Sequence, residues 1–329
     1  MKILVTGAGG FLGRGIATAL MQRGDKVVTL QRGHYPELES MGFEVRRGDI
    51  GEAGDVMQAA EGCEAVMHVA AKAGVWGDYQ EYYRSNVVGT LNVINACREQ
   101  GITRLVYTSS PSIVFAGEDE DGIDESTPLP ERYLTNYQRT KAEAEEAVLA
   151  ANDAGLATVA LRPHLIFGPG DPHLAPRIIE RARAGRLRLV GSRENLVDIT
   201  YIDNAVAAHL NALEKLDSSA ACAGKAYFIS NGEPMSMEKI VNRILNAAGL
   251  KEEQRRISPR LAYGIGAVLE AVYTVLRIKG EPAMTRFIAR QLSCSHWYDI
   301  SAARRDLAYE PGTRIEEGMQ ALARSLAEQ

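Results

Sequence analysis

Thr6-Gly7-Ala8-Gly9-Gly10-Phe11-Leu12-Gly13 stands directly behind the apolar run of residues 3–5 and ahead of a helical pattern over residues 11–23 that stops at Gly24. A strand, a glycine-rich turn and a helix in that order make a cradle for a dinucleotide. Gly7 permits the tight turn, Gly10 lets a pyrophosphate approach the backbone, and Gly13 lets the helix pack closely on the strand. The helix N-terminus adds partial positive charge where the phosphates sit. Gly7, Gly10, Phe11, Leu12 and Gly13 are therefore candidate cofactor contacts.

Further along the chain, strand-like apolar runs at residues 27–30, 43–45, 65–69, 105–107 and 158–161 alternate with helical patterns. The pattern over residues 82–100 stops at Gly101, and that over 137–152 ends near Gly155. Helices between strands imply right-handed crossovers, and strands with almost no polar residues imply burial on both faces. The expected fold is α/β, a doubly wound parallel sheet of Rossmann type. Residues 1–163, completed by about 196–230, form the expected dinucleotide-binding domain. A short strand at 226–229 falls in that completing segment, while residues 164–195, with a short strand at 187–190, and 231–329 form a smaller, mostly helical substrate domain.

Composition narrows the function. With 329 residues, 46% hydrophobic and 24% charged, the chain is long enough for a large core. The 37 Lys+Arg against 42 Asp+Glu leave a net charge of −5, which argues against nucleic acid as a partner. Cys63, Cys97, Cys222 and Cys294 form no CxxC pair, and no signal-peptide pattern opens the chain, so a cytoplasmic location is expected. His164, Asp171 and His173 are separated by Gly and Pro, and no metal is expected there.

The end of the second strand selects the cofactor. Sites for NAD place an acid here to bind the ribose 2′-hydroxyl, but the sequence is Leu30-Gln31-Arg32-Gly33. A guanidinium in that place suits a 2′-phosphate, so NADP(H) is the expected cofactor. Asp49 and Ile50 after the third strand, and Ala70 and Ala71 after the fourth, fall on the same carboxyl edge of the sheet.

The fifth strand runs into Thr108-Ser109-Ser110, and the following helix carries Tyr137-Gln138-Arg139-Thr140-Lys141. Tyr137 and Lys141, four apart, project from one helical face, so a phenol and an ammonium converge beside the nicotinamide position. Tyr137 is the expected proton donor, with Ser109 or Ser110 hydrogen-bonding the substrate oxygen. The charge of Lys141 is expected to lower the pKa of the phenol.

TGAGGFLG at 6–13, TSS at 108–110, YQRTK at 137–141 and LRPHLIFGPGD at 161–171 stand in the order seen in extended short-chain dehydrogenases/reductases, a family this chain resembles over its whole length. Asn86-Val87-Val88-Gly89-Thr90 resembles the NVxGT helix of that family, and Tyr201-Ile202-Asp203-Asn204-Ala205 its motif before the next helix. HVAAKAGVWG at 68–77, KAYFISNGEP at 225–234 and HWYDISAARRDLAYEP at 296–311 resemble the 3β-hydroxysteroid dehydrogenase and sterol-4-carboxylate dehydrogenase branch. Within it the chain is most similar to bacterial reductases of 2-alkyl-3-oxoalkanoates from long-chain olefin biosynthesis.

The resemblance implies NADPH-dependent reduction of a C3 ketone in a lipid-like 2-alkyl-3-oxo acid. It favours Ser110 over Ser109, gives Lys141 a second role on the nicotinamide ribose, and adds Pro163 to the cofactor contacts. Lys72, His164, His173 and Arg177, with Trp76 beside them, are candidates for the substrate and its carboxylate. It also implies a homodimer through the helices of residues 82–100 and 137–152, and a complex with other enzymes of the olefin pathway.

Three other readings compete. A sterol 4-carboxylate presents the same β-hydroxy acid pattern. A nucleotide-sugar epimerase or dehydratase would use the Arg-rich stretch 177–193 on a diphosphate. A non-catalytic NADP-binding protein is disfavoured because both Tyr137 and Lys141 are present.

Residues 261–278 are apolar except for Glu270, Thr274 and Arg277, which share a helical face as a narrow polar stripe. As a helix the segment would span roughly 27 Å. A pocket wall, a partner interface or a peripheral membrane contact would each explain it.

Overall fold

In the computed structural model, residues 1–191 and 194–328 are described. Seven parallel strands form the central sheet: β1 (Lys2–Thr6), β2 (Lys26–Gln31), β3 (Glu44–Arg47), β4 (Ala65–His68), β5 (Arg104–Thr108), β6 (Ala157–Pro163) and β7 (Lys225–Ile229). Their order is β7-β6-β5-β4-β1-β2-β3. The chain leaves β1 toward one edge through β2 and β3, then returns to build β4 to β7 on the other side, so the crevice at the carboxyl ends of β1 and β4 is the ligand position of this topology. Ile3, Leu4, Val5, Val66, Met67, Leu105, Val106, Val159 and Ala160 are buried, as parallel strands covered on both faces require.

The helices that place the site are α1 (Phe11–Gln22), α2 (Gly89–Glu99), α3 (Asn136–Ala150), α4 (Leu174–Arg183) and α5 (Ile202–Lys215). A π-helical turn, Tyr83–Val88, leads into α2 and interrupts what the sequence presents as one continuous helix. The α3 N-terminus is fixed by a capping box. Gln138 N–H donates to Thr135 Oγ1 at 3.2 Å, and Thr135 N–H donates to Gln138 Oε1 at 3.0 Å.

A buried ion pair ties α3 to the sheet. Arg162 on β6 donates through Nη2 and Nε to the two Glu145 oxygens at 2.6 and 3.0 Å, under the ring of Phe228. The bidentate geometry fixes the helix against the strand on which it rests.

A second sheet joins Met235–Ser236, Leu196–Val197, His296–Tyr298 and Glu120–Ile123 in that order. Glu120–Ile123 lies within the stretch assigned to the dinucleotide half, yet it pairs with His296–Tyr298 from the far end of the chain. The HWYDIS segment, which carries part of the family resemblance, supplies that partner strand. His296 and Tyr298 are buried, and Tyr298 donates its hydroxyl to Glu120 at 3.1 Å. Arg193, which closes the Arg-rich stretch 177–193, lies outside the described residues.

The polar stripe expected over residues 261–278 is also rearranged. Helix α6 (Pro259–Val275) ends before Arg277, which adopts a left-handed backbone with φ +50° beyond the helix. Glu270 turns inward and accepts from Arg286 N–H at 2.7 Å and Arg286 Nε at 2.6 Å, holding the first turn of α7 (Arg286–Ser293). Among the described residues no helix is long and apolar enough to cross a membrane.

Candidate active site

A cavity of about 580 Å³ opens over the carboxyl ends of β1, β2, β4 and β5. The glycine turn floors it. Gly7 has φ +76°, a conformation that favours glycine, and donates its N–H to Leu30 O at 3.0 Å. A Cβ on Gly13 would lie 2.3 Å from the carbonyl oxygen of Gly7, so α1 approaches β1 to a distance that no other residue allows. Gly10 caps α1 without a side-chain acceptor, which leaves its first-turn N–H groups for a ligand. Two buried polar groups on the cavity wall, the Gln31 amide and the Ser109 hydroxyl, have no hydrogen-bond partner among the described residues. An anion-accepting turn flanked by unsatisfied donors fits a dinucleotide.

A buried network locks the turn to its neighbours. The His68 ring sits between Thr6 Oγ1 at 2.8 Å and Thr90 Oγ1 at 2.9 Å, while Thr6 Oγ1 accepts from the N–H groups of Val69 and Ala70 at 3.1 Å each. Thr90 spends its proton on Asn86 O at 2.6 Å. Nε2 of His68 is therefore the protonated nitrogen, by the direction of the chain of bonds. Burial lowers the His68 pKa to about 3, and the ring stays neutral. Asn86, in the π-helical turn, clasps Lys72 through N–H and carbonyl at 2.7 and 3.2 Å and donates to Thr140 Oγ1 at 3.0 Å. The loop after β4 is thereby pinned to α3.

Tyr137 and Lys141 of α3 line the same cavity as the glycine turn. Gln138, between them in sequence, donates to Ser112 O at 2.6 Å and Phe115 O at 2.9 Å, which docks the loop after β5 onto α3. The Ser110 hydroxyl in that loop lies 2.9 Å from Ser112 Oγ and faces the Tyr137 phenol. Gln138, whose role the sequence does not announce, thus sets the serine loop against α3; Ser109 of that loop lines the cavity and Ser110 does not.

Electrostatics departs from expectation. Lys141 is buried, donates from Nζ to Thr108 O at 2.6 Å and sits 4.2 Å from the Tyr107 ring centroid. Desolvation lowers its pKa to about 7 against the opposing charge of Glu145. The Tyr137 phenol is raised by its own burial, and the Ser110 hydrogen bond is what pulls it back down. The expected lowering of the phenol by Lys141 is replaced by this balance, because the ammonium faces a backbone carbonyl and a ring.

The other residues singled out in the sequence divide. Gly7, Gly10, Phe11, Leu12, Gly13, Arg32, Asp49, Ile50, Ala70, Ala71, Lys72 and His173 all line the cavity. Asp49 spends its carboxylate on Arg84 at 2.9 Å and on Gly51 N–H at 2.9 Å. Pro163 is not on the wall; Leu165 and Ile166 close that side instead, Leu165 with φ +32°. His164 is buried behind it, with Nδ1 2.7 Å from Asp198 O and its ring against His296 and Tyr298, so it is a packed core histidine rather than a substrate contact. Arg177 pairs with Glu281 at 3.3 Å, away from the wall. Trp76 is off the wall too, and its carbonyl accepts from Tyr82 OH at 3.1 Å. Asp171 caps α4 through His173, Leu174 and Ala175 N–H groups at 2.8, 3.1 and 2.8 Å.

Tyr35 is a wall residue that sequence reasoning missed. Its ring packs so closely that a Cβ on Gly9 or Gly33 would meet it at 2.4 or 2.6 Å. A lone tyrosine two residues beyond Gly33 carries no signal of this.

Residues 4–260 match the 3-beta hydroxysteroid dehydrogenase/isomerase family. A protein of Stenotrophomonas maltophilia (strain K279a) named 2-alkyl-3-oxoalkanoate reductase is 54% identical over 329 residues, covering 99% of this chain and 100% of that one. The Arabidopsis thaliana 3beta-hydroxysteroid-dehydrogenase/decarboxylase isoform 1 is 35% identical, covering 96% of this chain and 77% of that one. Among solved structures, MoeE5 in complex with UDP-glucose and NAD superposes with a TM-score of 0.76 at 26% identity, over 100% of this chain and 99% of that one.

Proposed function

The chain belongs to the 3-beta hydroxysteroid dehydrogenase/isomerase family, and from that premise we propose that it reduces the C3 ketone of a 2-alkyl-3-oxoalkanoic acid to the 3-hydroxy acid with NADPH, reversibly with NADP⁺. The chemistry is carried by one observation: Tyr137 and Lys141 line the cavity floored by the glycine turn, with Ser109 on the same wall and Ser110 behind it beside the phenol. The substrate class rests on the full-length likeness to a named 2-alkyl-3-oxoalkanoate reductase, at 54% against 35% for the steroid relative.

Gly7, Gly10 and Gly13 with the α1 N-terminus would hold the pyrophosphate, Arg32 the 2′-phosphate, and Lys141 the nicotinamide ribose. When bound, the reduced nicotinamide supplies the hydride. Tyr137 gives its proton to the ketone oxygen as charge builds there and is left as the phenolate, while Ser110 hydrogen-bonds the same oxygen. Of the candidates for the carboxylate, Lys72 and His173 are on the wall, and Lys72 is paired with Glu81 at 2.6 Å.

Steady-state oxidation tests the substrate class. With NADP⁺, a long-chain 2-alkyl-3-hydroxyalkanoic acid is expected to turn over in preference to a 3β-hydroxysterol 4-carboxylate and UDP-glucose; a preference for either of the other two overturns the proposal. For the cofactor, Arg32→Asp removes a charge-assisted contact and sets a carboxylate where a 2′-hydroxyl would be read. The kcat/KM ratio of NADPH over NADH is expected to fall by roughly 10- to 100-fold. An unchanged ratio assigns the 2′-phosphate to another residue.

A further inference from the structure

The loop after β4 walls the cavity with Val69, Ala70, Ala71, Lys72 and Ala73. Asn86 holds its near end through Lys72, and Asn136 holds its far end by donating from Nδ2 to Gly77 O at 3.0 Å. Between these clasps, the turn of Gly74 and Val75 is held by a residue from the other end of the chain. Glu281, in the connection between α6 and α7, accepts Val75 N–H through Oε1 at 2.9 Å across 206 residues of sequence. Gly74 has φ +118°, and a Cβ there would lie 2.3 Å from Glu281 Oε1, so the carboxylate enters a notch that glycine leaves open.

Two arginines of α4 aim the connection. Arg177 donates from Nη2 to Glu281 Oε2 at 3.3 Å, and Arg181 donates to Ala283 O at 2.7 Å. Arg177, a sequence candidate for the substrate carboxylate, therefore serves Glu281. On the other side of the loop, Tyr82 donates its hydroxyl to Trp76 O at 3.1 Å, and its ring meets that of Tyr137 edge-on with centroids 6.4 Å apart. Burial, with the charge of Glu281, pushes the Tyr82 phenol up to about 12, which keeps it a donor to that carbonyl.

We propose that Glu281 is a positioning residue for the substrate: by holding the turn of Gly74 and Val75 it sets the loop that walls the cavity beside Tyr137. Glu281 is not itself on the wall, so it acts through the loop. Its bond to Val75 N–H, with a charged acceptor, is the stronger contact. The pair with Arg177 joins side chains that are 27% and 58% exposed and contributes less. The cofactor end of the loop has its own anchor, since Thr6 Oγ1 holds the N–H groups of Val69 and Ala70. Loosening the turn of Gly74 and Val75 thus reaches the substrate and spares the dinucleotide. The inference rests on the reductase reading for its substrate and on the contacts alone for the clasp.

The test compares Glu281→Ala, Glu281→Gln and Arg177→Ala in the full chain. In NADPH-dependent reduction of a long-chain 2-alkyl-3-oxo acid, Glu281→Ala is expected to raise KM about tenfold, with kcat and the NADPH Kd from fluorescence titration within about threefold. Glu281→Gln keeps an acceptor for Val75 N–H and should restore most of the KM, and Arg177→Ala should raise it less than Glu281→Ala does. A second readout needs no substrate. The chain has two tryptophans, so in a Trp297→Phe background emission comes from Trp76 alone, and acrylamide should quench it more strongly once Glu281→Ala is added. Circular dichroism checks that each variant folds. Unchanged KM, a loss of NADPH affinity as large as the rise in KM, no rescue by Glu281→Gln, or unchanged quenching of Trp76 each overturns the proposal. If the unsubstituted protein does not reduce the acid, the reductase reading falls and the assignment of Glu281 to that substrate falls with it, while the quenching comparison still decides whether Glu281 holds the loop.

Discussion

Tyr137→Phe is expected to leave the dinucleotide bound and the fold intact while lowering kcat by about 10²- to 10⁴-fold, the usual share of a positioned proton donor. The substitution removes one oxygen from a half-buried ring, so the packing of Tyr82 against it survives. NADPH fluorescence titration and turnover read the two effects separately. Burial holds the phenol above its ordinary value of about 10, so it stays protonated across neutral and mildly alkaline pH. On this group's account the reductive rate is flat through that range. The reverse oxidation needs the phenolate and therefore rises with pH, by about tenfold per unit below the pKa. Tyr137→Phe should remove that rise. Turnover comparable to the unsubstituted protein would take the proton-donor role away from Tyr137.

The second large effect is at Gly13. Valine there would set Cβ 2.3 Å from the oxygen and 2.7 Å from the carbonyl carbon of Gly7, both backbone atoms that have no side-chain freedom to yield. Overpacking of this kind costs about 1–3 kcal/mol, which expressed at the turn is roughly 5- to 150-fold in dinucleotide affinity. Gly13→Ala carries the same Cβ and should show most of the loss. Circular dichroism separates a displaced turn from an unfolded chain. Wild-type NADPH affinity in both variants would mean that the turn is not the cradle.

The parts of this molecule that were legible in sequence are those whose function is local. A glycine turn between a strand and a helix, and a tyrosine four residues ahead of a lysine, declare themselves because spacing along the chain is spacing in space. Arg32 was legible because its place at the end of β2 follows from the turn.

What stayed hidden depends on contacts between distant segments. Gln138 reads as filler between Tyr137 and Lys141, yet it brings the Ser110 loop to α3. His164 and Arg177 were chosen for their chemistry, and sequence does not say that one ring would pack on His296 or that the other charge would meet Glu281. The pairing of Glu120–Ile123 stayed hidden because its partner strand lies about 175 residues away in the chain. Along α6 the polar stripe of Glu270, Thr274 and Arg277 did not hold, because the helix ends before Arg277 and Glu270 turns inward onto Arg286, a contact 16 residues away in the chain.

The central claim is hydride transfer to C3 of a 2-alkyl-3-oxoalkanoic acid, and isotope transfer measures it directly. The enzyme is incubated with that acid and NADPH deuterated at the transferable position, and the product is analysed by mass spectrometry. The account predicts one deuterium at C3 of the 2-alkyl-3-hydroxyalkanoic acid for each NADP⁺ formed. NADPH consumed without deuterium at C3, or no reduction of the acid under conditions where a sterol ketone or a nucleotide sugar reacts, would contradict it.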